Sequence, residues 1–370
     1  MKKLRVGILF GGRSAEHEVS LMSARNVLLA LDPSRYEAVL IGIDRGGHWS
    51  LQDTQLLLGA PVTPPAALPD ADESVALQSY VPGSLVAGQA GAGGAAGVGL
   101  DVVFPVLHGP MGEDGTVQGL LELANIPYVG AGVLGSAVGM DKDVMKRLLR
   151  EAGLPVAAFH AFRRWDHERD PDGVAARCAE LGYPQFVKPA NLGSSVGVTR
   201  VADPADLDRA LRFAFQFDTK VLVERAVVGR EIECSVLGYR DPIASIPGEI
   251  VVHHRDGFYS YDAKYIDETG AALEIPAKLD AATVEAVRRM SVRAFTVLEC
   301  QGLARVDFFL APSGELTINE INTLPGFTAI SMYPKLWEAS GLSPRELVGR
   351  LIDLAFERHR DRAALATRQG

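Results

Sequence analysis

The chain has only three cysteines in 370 residues, Cys178, Cys234 and Cys300. They lie far apart in apolar segments and show no metal-ligand spacing. This excludes a disulfide framework and reads as buried thiols in a reducing compartment. Long apolar runs are also missing. No stretch is long enough to cross a bilayer, and the charged start MKKLRVGILFGG ends in Gly-Gly without a cleavage site. A cytoplasmic protein without a membrane partner is expected. Positive charge is scarce as well: 37 Lys and Arg against 46 Asp and Glu leave a net charge of −9. No basic face is available for a nucleic-acid backbone, so no such partner is expected. The Walker A pattern G-x-x-x-x-G-K-[ST] occurs nowhere.

What is present is an ordinary globular composition on a chain long enough for two or three domains. Residues 4–10 read as a strand, Gly11-Gly12 as a turn, and Ser14 as the cap of a helix through Leu21, Ala24 and Leu28. Further strands are expected at 38–43, 102–107 and 126–129. Strands alternating with helical patterns predict an α/β fold with a parallel, doubly wound sheet. Residues 59–99 interrupt it with Ala, Gly and Pro. The low-complexity end, 86–99, reads as a mobile surface insertion without chemistry. The run GAGVLG at 130–135 matches the dinucleotide fingerprint, but the acid expected about twenty residues later falls in a helix at 141–153. It reads better as a tight strand-to-helix turn.

A second α/β region follows, with strands at 156–162, 185–189, 197–201 and 220–225 and helices at 173–181 and 206–217. A third has strands at 231–238 and 243–252, a polar aromatic loop at 255–270, and helices at 280–300 and 343–360. Between those helices lies the stretch that organises the chain, RVDFFLAPSGELTINEINTLPGFTAIS. Val306, Phe308 and Leu310 alternate with Arg305, Asp307 and Phe309, as in a half-buried strand. After the turn Pro312-Ser313-Gly314, Leu316, Ile318, Glu320 and Asn322 fall on one side of a second strand. A hairpin would bring Asp307 to Glu320 and Asn322. Two carboxylates and an amide oxygen suit a hard divalent cation such as Mg²⁺ beside phosphates. An Arg–Asp ion pair with an exposed polar edge is the other reading, and the two strands alone do not choose.

Lys188 ends a strand before the loop NLGSSVGV, where small residues let backbone N–H groups approach phosphates. A plain β-hairpin is the alternative, which leaves an inward-leaning lysine unexplained. The crossing at Glu224 and Glu231 offers backbone groups to a base and a carboxylate to a ribose, or is only a charged linker. His108 stands at a strand end where α/β sheets bind ligands.

Seven runs occur in this order: GGRSAEHEVS, HGPMGEDGT, MDK, VKPANLGSSVGV, YDAKY, RVDFF and NEINTLPGFTAIS. Together they strongly resemble the D-alanine–D-alanine ligases of the ATP-grasp superfamily, from about residue 4 to 360. The resemblance implies a three-domain ATP-grasp architecture: a Rossmann-like domain 1–131, a central subdomain 132–227 and a C-terminal subdomain 228–370 with a lid at 255–270. It implies ATP and two Mg²⁺ (or Mn²⁺) ions on Asp307, Glu320 and Asn322. Lys142, Lys188, Ser194, Ser195, Lys264, Asn319 and Glu320 would meet the nucleotide's phosphates, and Glu224, Arg225, Ala226, Val227 and Glu231 its adenosine. Arg225 falls where many relatives carry lysine. Glu16 and His108 would hold the first D-alanine, Ser331 and Met332 the second, with Arg305 and the Gly326 N–H on the oxyanion. Ser194 and Tyr265 would link to Glu16 and lock the lid, Tyr265 favouring a dipeptide product. The implied reaction makes D-alanyl-D-alanine through a D-alanyl phosphate for peptidoglycan, in a homodimer by analogy. A ligase with another acceptor, giving D-alanyl-D-lactate or joining another carboxylate–amine pair, is the alternative.

Overall fold

The computed structural model describes residues 2–59, 75–78, 84–87, 97–252 and 271–366. The chain starts as expected. Strand β1 (Leu4–Gly11) leads into helix α1 (His17–Ala30), then β2 (Tyr36–Ile43), β3 (Trp49–Gln52) and α2 (Thr54–Leu58). Ser14 is not the cap of α1. The capping position is Glu16, without a side-chain cap, and the Ser14 hydroxyl instead accepts from the Glu16 N–H. The insertion carries strands β4 (Val75–Gln78), β5 (Ser84–Ala87) and β6 (Gly97–Gly99), which pair as an antiparallel sheet.

Strand β7 (Val102–Pro105) pairs parallel to β1, which also runs parallel to β2, so the first sheet has the order β3-β2-β1-β7. The expected strand at 126–129 is only a bridge from Val103 to Tyr128. Helices α3 (Thr116–Leu123), α4 (Val133–Met140) and α5 (Lys142–Glu151) follow. The glycines of the 130–135 run serve packing: a Cβ on Gly135 would lie 2.4 Å from the Glu299 carbonyl oxygen.

The second unit contains β8 (Phe159–Arg163), β9 (Gln185–Pro189), β10 (Thr199–Val201) and β11 (Lys220–Arg225), in the order β10-β9-β11-β8. The third contains β12 (Arg230–Gly238), β13 (Ile243–Ala244), β14 (Gly248–Val252), β15 (Ala271–Glu274), β16 (Gly302–Leu310) and β17 (Leu316–Asn322). The strand expected at 243–252 is thus two strands, because Pro247 between them lacks a ladder donor. Both sheets are antiparallel, so the parallel arrangement holds for the first unit alone.

Each sheet needs a covering layer. Helices Pro171–Ala179 and Leu207–Ala214 cover the second with Val174, Cys178 and Leu211. Helix Ala281–Val297 and α5 cover the third, through Phe295, Met145 and Leu149. The closing helix Pro344–Ala363 returns to the first sheet, where Leu347, Leu351 and Ile352 join Val6, Ile8 and Phe10 in one core. Leu347 begins a run of apolar positions on the face that this core buries. No helix among the described residues is long and apolar enough to cross a membrane.

Candidate active site

The hairpin forms, with Asp307 opposite Glu320 and Arg305 opposite Asn322. One part of the reading changes. Phe308 pairs with Ile318, so Asn319 is an extra residue, a β-bulge next to Glu320. Leu316 and Ile318 face the core, whereas Glu320 and Asn322 face the cleft and Ile321 returns to the core. The bulge shifts the phase of alternation and presents both Asn319 and Glu320 to one cavity.

That cavity has a volume of about 330 Å³ and lies between the second and third sheets. It is lined by Lys142, Lys188, Glu231, Asp307, Asn319 and Glu320 among others, within the size range of nucleotide and cofactor sites. Lys188 comes from the end of β9; its Nζ lies 2.7 Å from Glu224 Oε2 and 3.5 Å from Asn319 Oδ1. Lys142 opens α5, where Asp141 accepts from the N–H groups of Asp143 and Val144. Its Nζ donates to the Leu192 carbonyl at 2.7 Å and lies 3.2 Å from Glu320 Oε2. Lys220 anchors this turn from below, donating to Asp141 Oδ1 at 2.6 Å.

Glu224, expected at the adenosine, lines the larger cavity. Its carboxylate, 4% exposed, is held by Lys188 and by Lys146, whose Nζ lies 3.2 Å away. Glu231, the other acid expected there, lines the same cavity. Burial opposes the charge on Glu224, but Lys146 and Lys188 together hold its carboxyl below the usual range. Burial pushes the Lys146 amine down to about 8 against the pull of Glu224. Removing one partner from such a buried pair costs about 3–5 kcal/mol. Arg225 turns its guanidinium outward, Nε donating to the Leu181 carbonyl at 2.7 Å, and the Ala226 N–H is taken by the Pro184 carbonyl. Val227 lines the cavity beside them.

A second cavity of about 180 Å³ adjoins the first, and Gly193, Ser194, Glu233 and Glu320 line both. Ser194 and Ser195 hold φ of 52° and 58° in the loop after β9. Left-handed backbone at a residue other than glycine costs about 1–3 kcal/mol and is concentrated at functional sites. It aims the Ser194 hydroxyl at Glu16, to which it donates across the domains. His108 Nδ1 lies 3.1 Å from the Leu324 carbonyl and its Nε2 3.3 Å from the Ser23 hydroxyl. Burial alone would lower the His108 pKa, but the carboxylates of Glu113 and Glu16 raise it. Burial, with Glu16 adding, raises that of Glu113. Gly326 and Ser331 meet on the far wall: the Ser331 hydroxyl accepts from the Thr328 N–H at 3.0 Å and begins helix Met332–Ala339. That helix points its N-terminal N–H groups toward the cavity, a setting that favours a carboxylate.

Arg305 sits between two acids. It donates from Nε and a terminal nitrogen to Asp307, both at 2.7 Å, and its Nε is 2.9 Å from Glu233 Oε2. Asn322 Nδ2 donates to Asp307 at 3.0 Å. Asp307 and Glu320 face one cleft, already lie among cations, and offer hard oxygens. This donor set fits a divalent ion, with the Asn322 amide turned over to present its oxygen. Tyr265, Lys264 and the rest of the lid 255–270 lie outside the described residues. Glu233, Glu113, Lys146 and Lys220 escaped the sequence reading. For Glu233 a signal existed, since Glu231 and Glu233 alternate with the buried Ile232 and Cys234.

Two antiparallel α+β units closing on a lysine-lined cavity, fed by a parallel first domain, define an enzyme of ATP-grasp type. The family models for the D-ala D-ala ligase N-terminus and C-terminus match residues 5–131 and 148–353. The D-alanine--D-alanine ligase A of Chromobacterium violaceum is 54% identical over 368 residues, 99% of each chain. That of Escherichia coli (strain K12) is 51% identical, with 99% of this chain and 100% of the other covered. Among solved structures, the D-alanine-D-alanine ligase of Coxiella burnetii superposes with a TM-score of 0.84 at 38% identity, covering 98% of this chain and 97% of that one. The VanG D-Ala:D-Ser ligase of Enterococcus faecalis gives 0.83 at 36%, covering 96% and 100%. The chain belongs to the D-alanine–D-alanine ligase family.

Proposed function

We propose that the larger cavity holds ATP and the smaller one two D-alanine molecules, which this chain joins to D-alanyl-D-alanine for peptidoglycan synthesis in the cytoplasm. The observation that carries this reading is the shared wall: a phosphoryl donor in one cavity meets an acyl group in the other at Ser194, Glu233 and Glu320. Lys142 and Lys188 draw the phosphate oxygens, and the loop carrying Ser194 and Ser195 covers them. Asp307, Glu320 and Asn322 would hold Mg²⁺ or Mn²⁺, which supplies positive charge to the transferring phosphoryl group.

A carboxylate is a poor electrophile because its charge repels nucleophiles. Transfer of the γ-phosphoryl group to the first D-alanine releases ADP and leaves a D-alanyl phosphate. Glu16 binds that substrate's ammonium, and His108 lies near its carboxylate. The amine of the second D-alanine, whose own carboxylate lies at Ser331 and Met332, then attacks the acyl carbon. Arg305 and the Gly326 N–H take the oxyanion, and phosphate leaves as the peptide bond forms. Closure of the lid 255–270, locked by Tyr265 with Ser194 and Glu16, would keep water from the acyl phosphate, and Lys264 would bind ATP. A homodimer belongs to the same reading.

Phosphate release with ATP and Mg²⁺ tests it, with D-alanine compared against L-alanine and with D-lactate and D-serine as competing acceptors. Turnover with D-alanine alone and a dipeptide product are expected. A faster reaction with a hydroxy acid or with D-serine would move the acceptor assignment, and no ATP-dependent turnover would end it.

A further inference from the structure

Lys146 is wholly buried, and neither cavity includes it in its lining. It stands on α5 one turn after Lys142, with Nζ 3.2 Å from Glu224 Oε1, while Lys188 Nζ is 2.7 Å from the other oxygen. Among the described residues Lys146 Nζ has no hydrogen bond of good geometry. A lysine kept from water beside one carboxylate returns little stability compared with an apolar side chain of its size. Packing is therefore a weak reason for its presence. The two lysines on Glu224 differ in reach: Lys188 lines the larger cavity and touches Asn319, whereas Lys146 is walled off.

We propose that Lys146 is a positioning residue for nucleotide binding, the permanent counter-ion of Glu224 that frees Lys188 to move onto phosphate oxygens. The proposal rests on ATP occupying the larger cavity. Without Lys146, a phosphate drawing Lys188 away would leave a bare buried carboxylate, so Lys188 would stay on Glu224. With Lys146, the carboxylate keeps a partner before and after ATP arrives.

ATP binding with Mg²⁺, measured by calorimetry on the full-length wild type, Lys146→Met, Glu224→Gln and the double variant, tests this. Lys146→Met is expected to weaken ATP at least about tenfold in the wild-type background and less than about twofold beside Glu224→Gln, because an amide does not retain Lys188. The KM for D-alanine should barely move. Equal losses in both backgrounds, or no loss in either, would overturn the proposal. Should Lys146→Met alone fail to fold while the double variant folds, Lys146 serves stability as the partner of Glu224 and the nucleotide role is overturned. Failure of both to fold overturns it. A wild type that does not bind ATP would instead sink the assignment of the cavity itself.

Discussion

The two adjoining cavities share a wall but differ in what completes them. The larger is furnished from regular elements: Lys188 on β9, Lys142 on α5, Glu231 on β12, Asp307 on β16 and Glu320 on β17. Its charges are compensated within the cleft, acid against lysine or arginine, so they persist away from water. The smaller adds to strand residues such as Glu233, Arg305 and Asn322 a set of loops and element ends that meet across domains, as Glu16 meets Ser194 and His108 meets the Leu324 carbonyl. A charge held on a strand is set by register, whereas a contact between loops depends on every element that brings them together. On the function proposed above, phosphoryl transfer falls to the rigid, strand-borne charges and the choice of amino acid to the more adaptable contacts between loops.

The largest expected effect lies on the rigid side. At the proposed ion site, Asp307→Asn would remove a carboxylate that holds the metal, and it takes away one of two acids on Arg305, so kcat should fall by about a hundred- to a thousandfold. Phosphate release measures it, and full activity would refute the ion site. Next comes the seam. Ser194→Ala deletes a hydrogen bond to a carboxylate, worth about 1.5–3 kcal/mol, or roughly ten- to a hundredfold in kcat/KM for D-alanine. If the loss appeared in ATP affinity and not in D-alanine use, the seam would belong to the first cavity alone.

Legibility follows the same division. The β16 strand of the hairpin was readable because alternation is local, and β9 and β11 as short apolar runs. The bulge at Asn319 was not, since one extra residue costs nothing in composition and still reverses which face Ile321 takes. On α5 the apolar spacing marks Leu148 and overlooks Lys146, yet Leu148 is 39% exposed and Lys146 is fully buried. A partner on β11, 78 positions away, decides that exchange. Helix Met332–Ala339 was missed although Ser331 and Pro334 are start signals, because its eight residues leave little room for a helical pattern to repeat. Its N-terminus still furnishes the cavity wall.

The adaptable side should also respond to pH. Glu113 and Glu16 keep the His108 imidazolium protonated to higher pH than an ordinary histidine. Binding of the D-alanine carboxylate should thus weaken as pH rises through that raised value. A raised folded pKa likewise means that the stability it contributes is full below the ordinary histidine value and is lost as pH climbs past the shifted one. Glu113→Gln should move the transition down, followed by an NMR titration of His108. An unmoved His108 titration would remove Glu113 from the site.

The smallest effect tests how finely the far wall is set. A Cβ on Gly326 would come within 2.9 Å of the Ser331 hydroxyl. That hydroxyl is tied to the Thr328 N–H at 3.0 Å and to its side chain at 2.8 Å, so it cannot swing away freely. Gly326→Ala should displace it by a few tenths of an ångström and disturb the carboxylate of the second D-alanine. We expect KM for that substrate to rise by about three- to tenfold, with ATP affinity unchanged and kcat nearly so, because loss of uniform binding leaves turnover intact. A fall in kcat at constant KM would show that the Gly326 N–H has moved off the oxyanion instead, and that even this loop is held as tightly as the strands opposite.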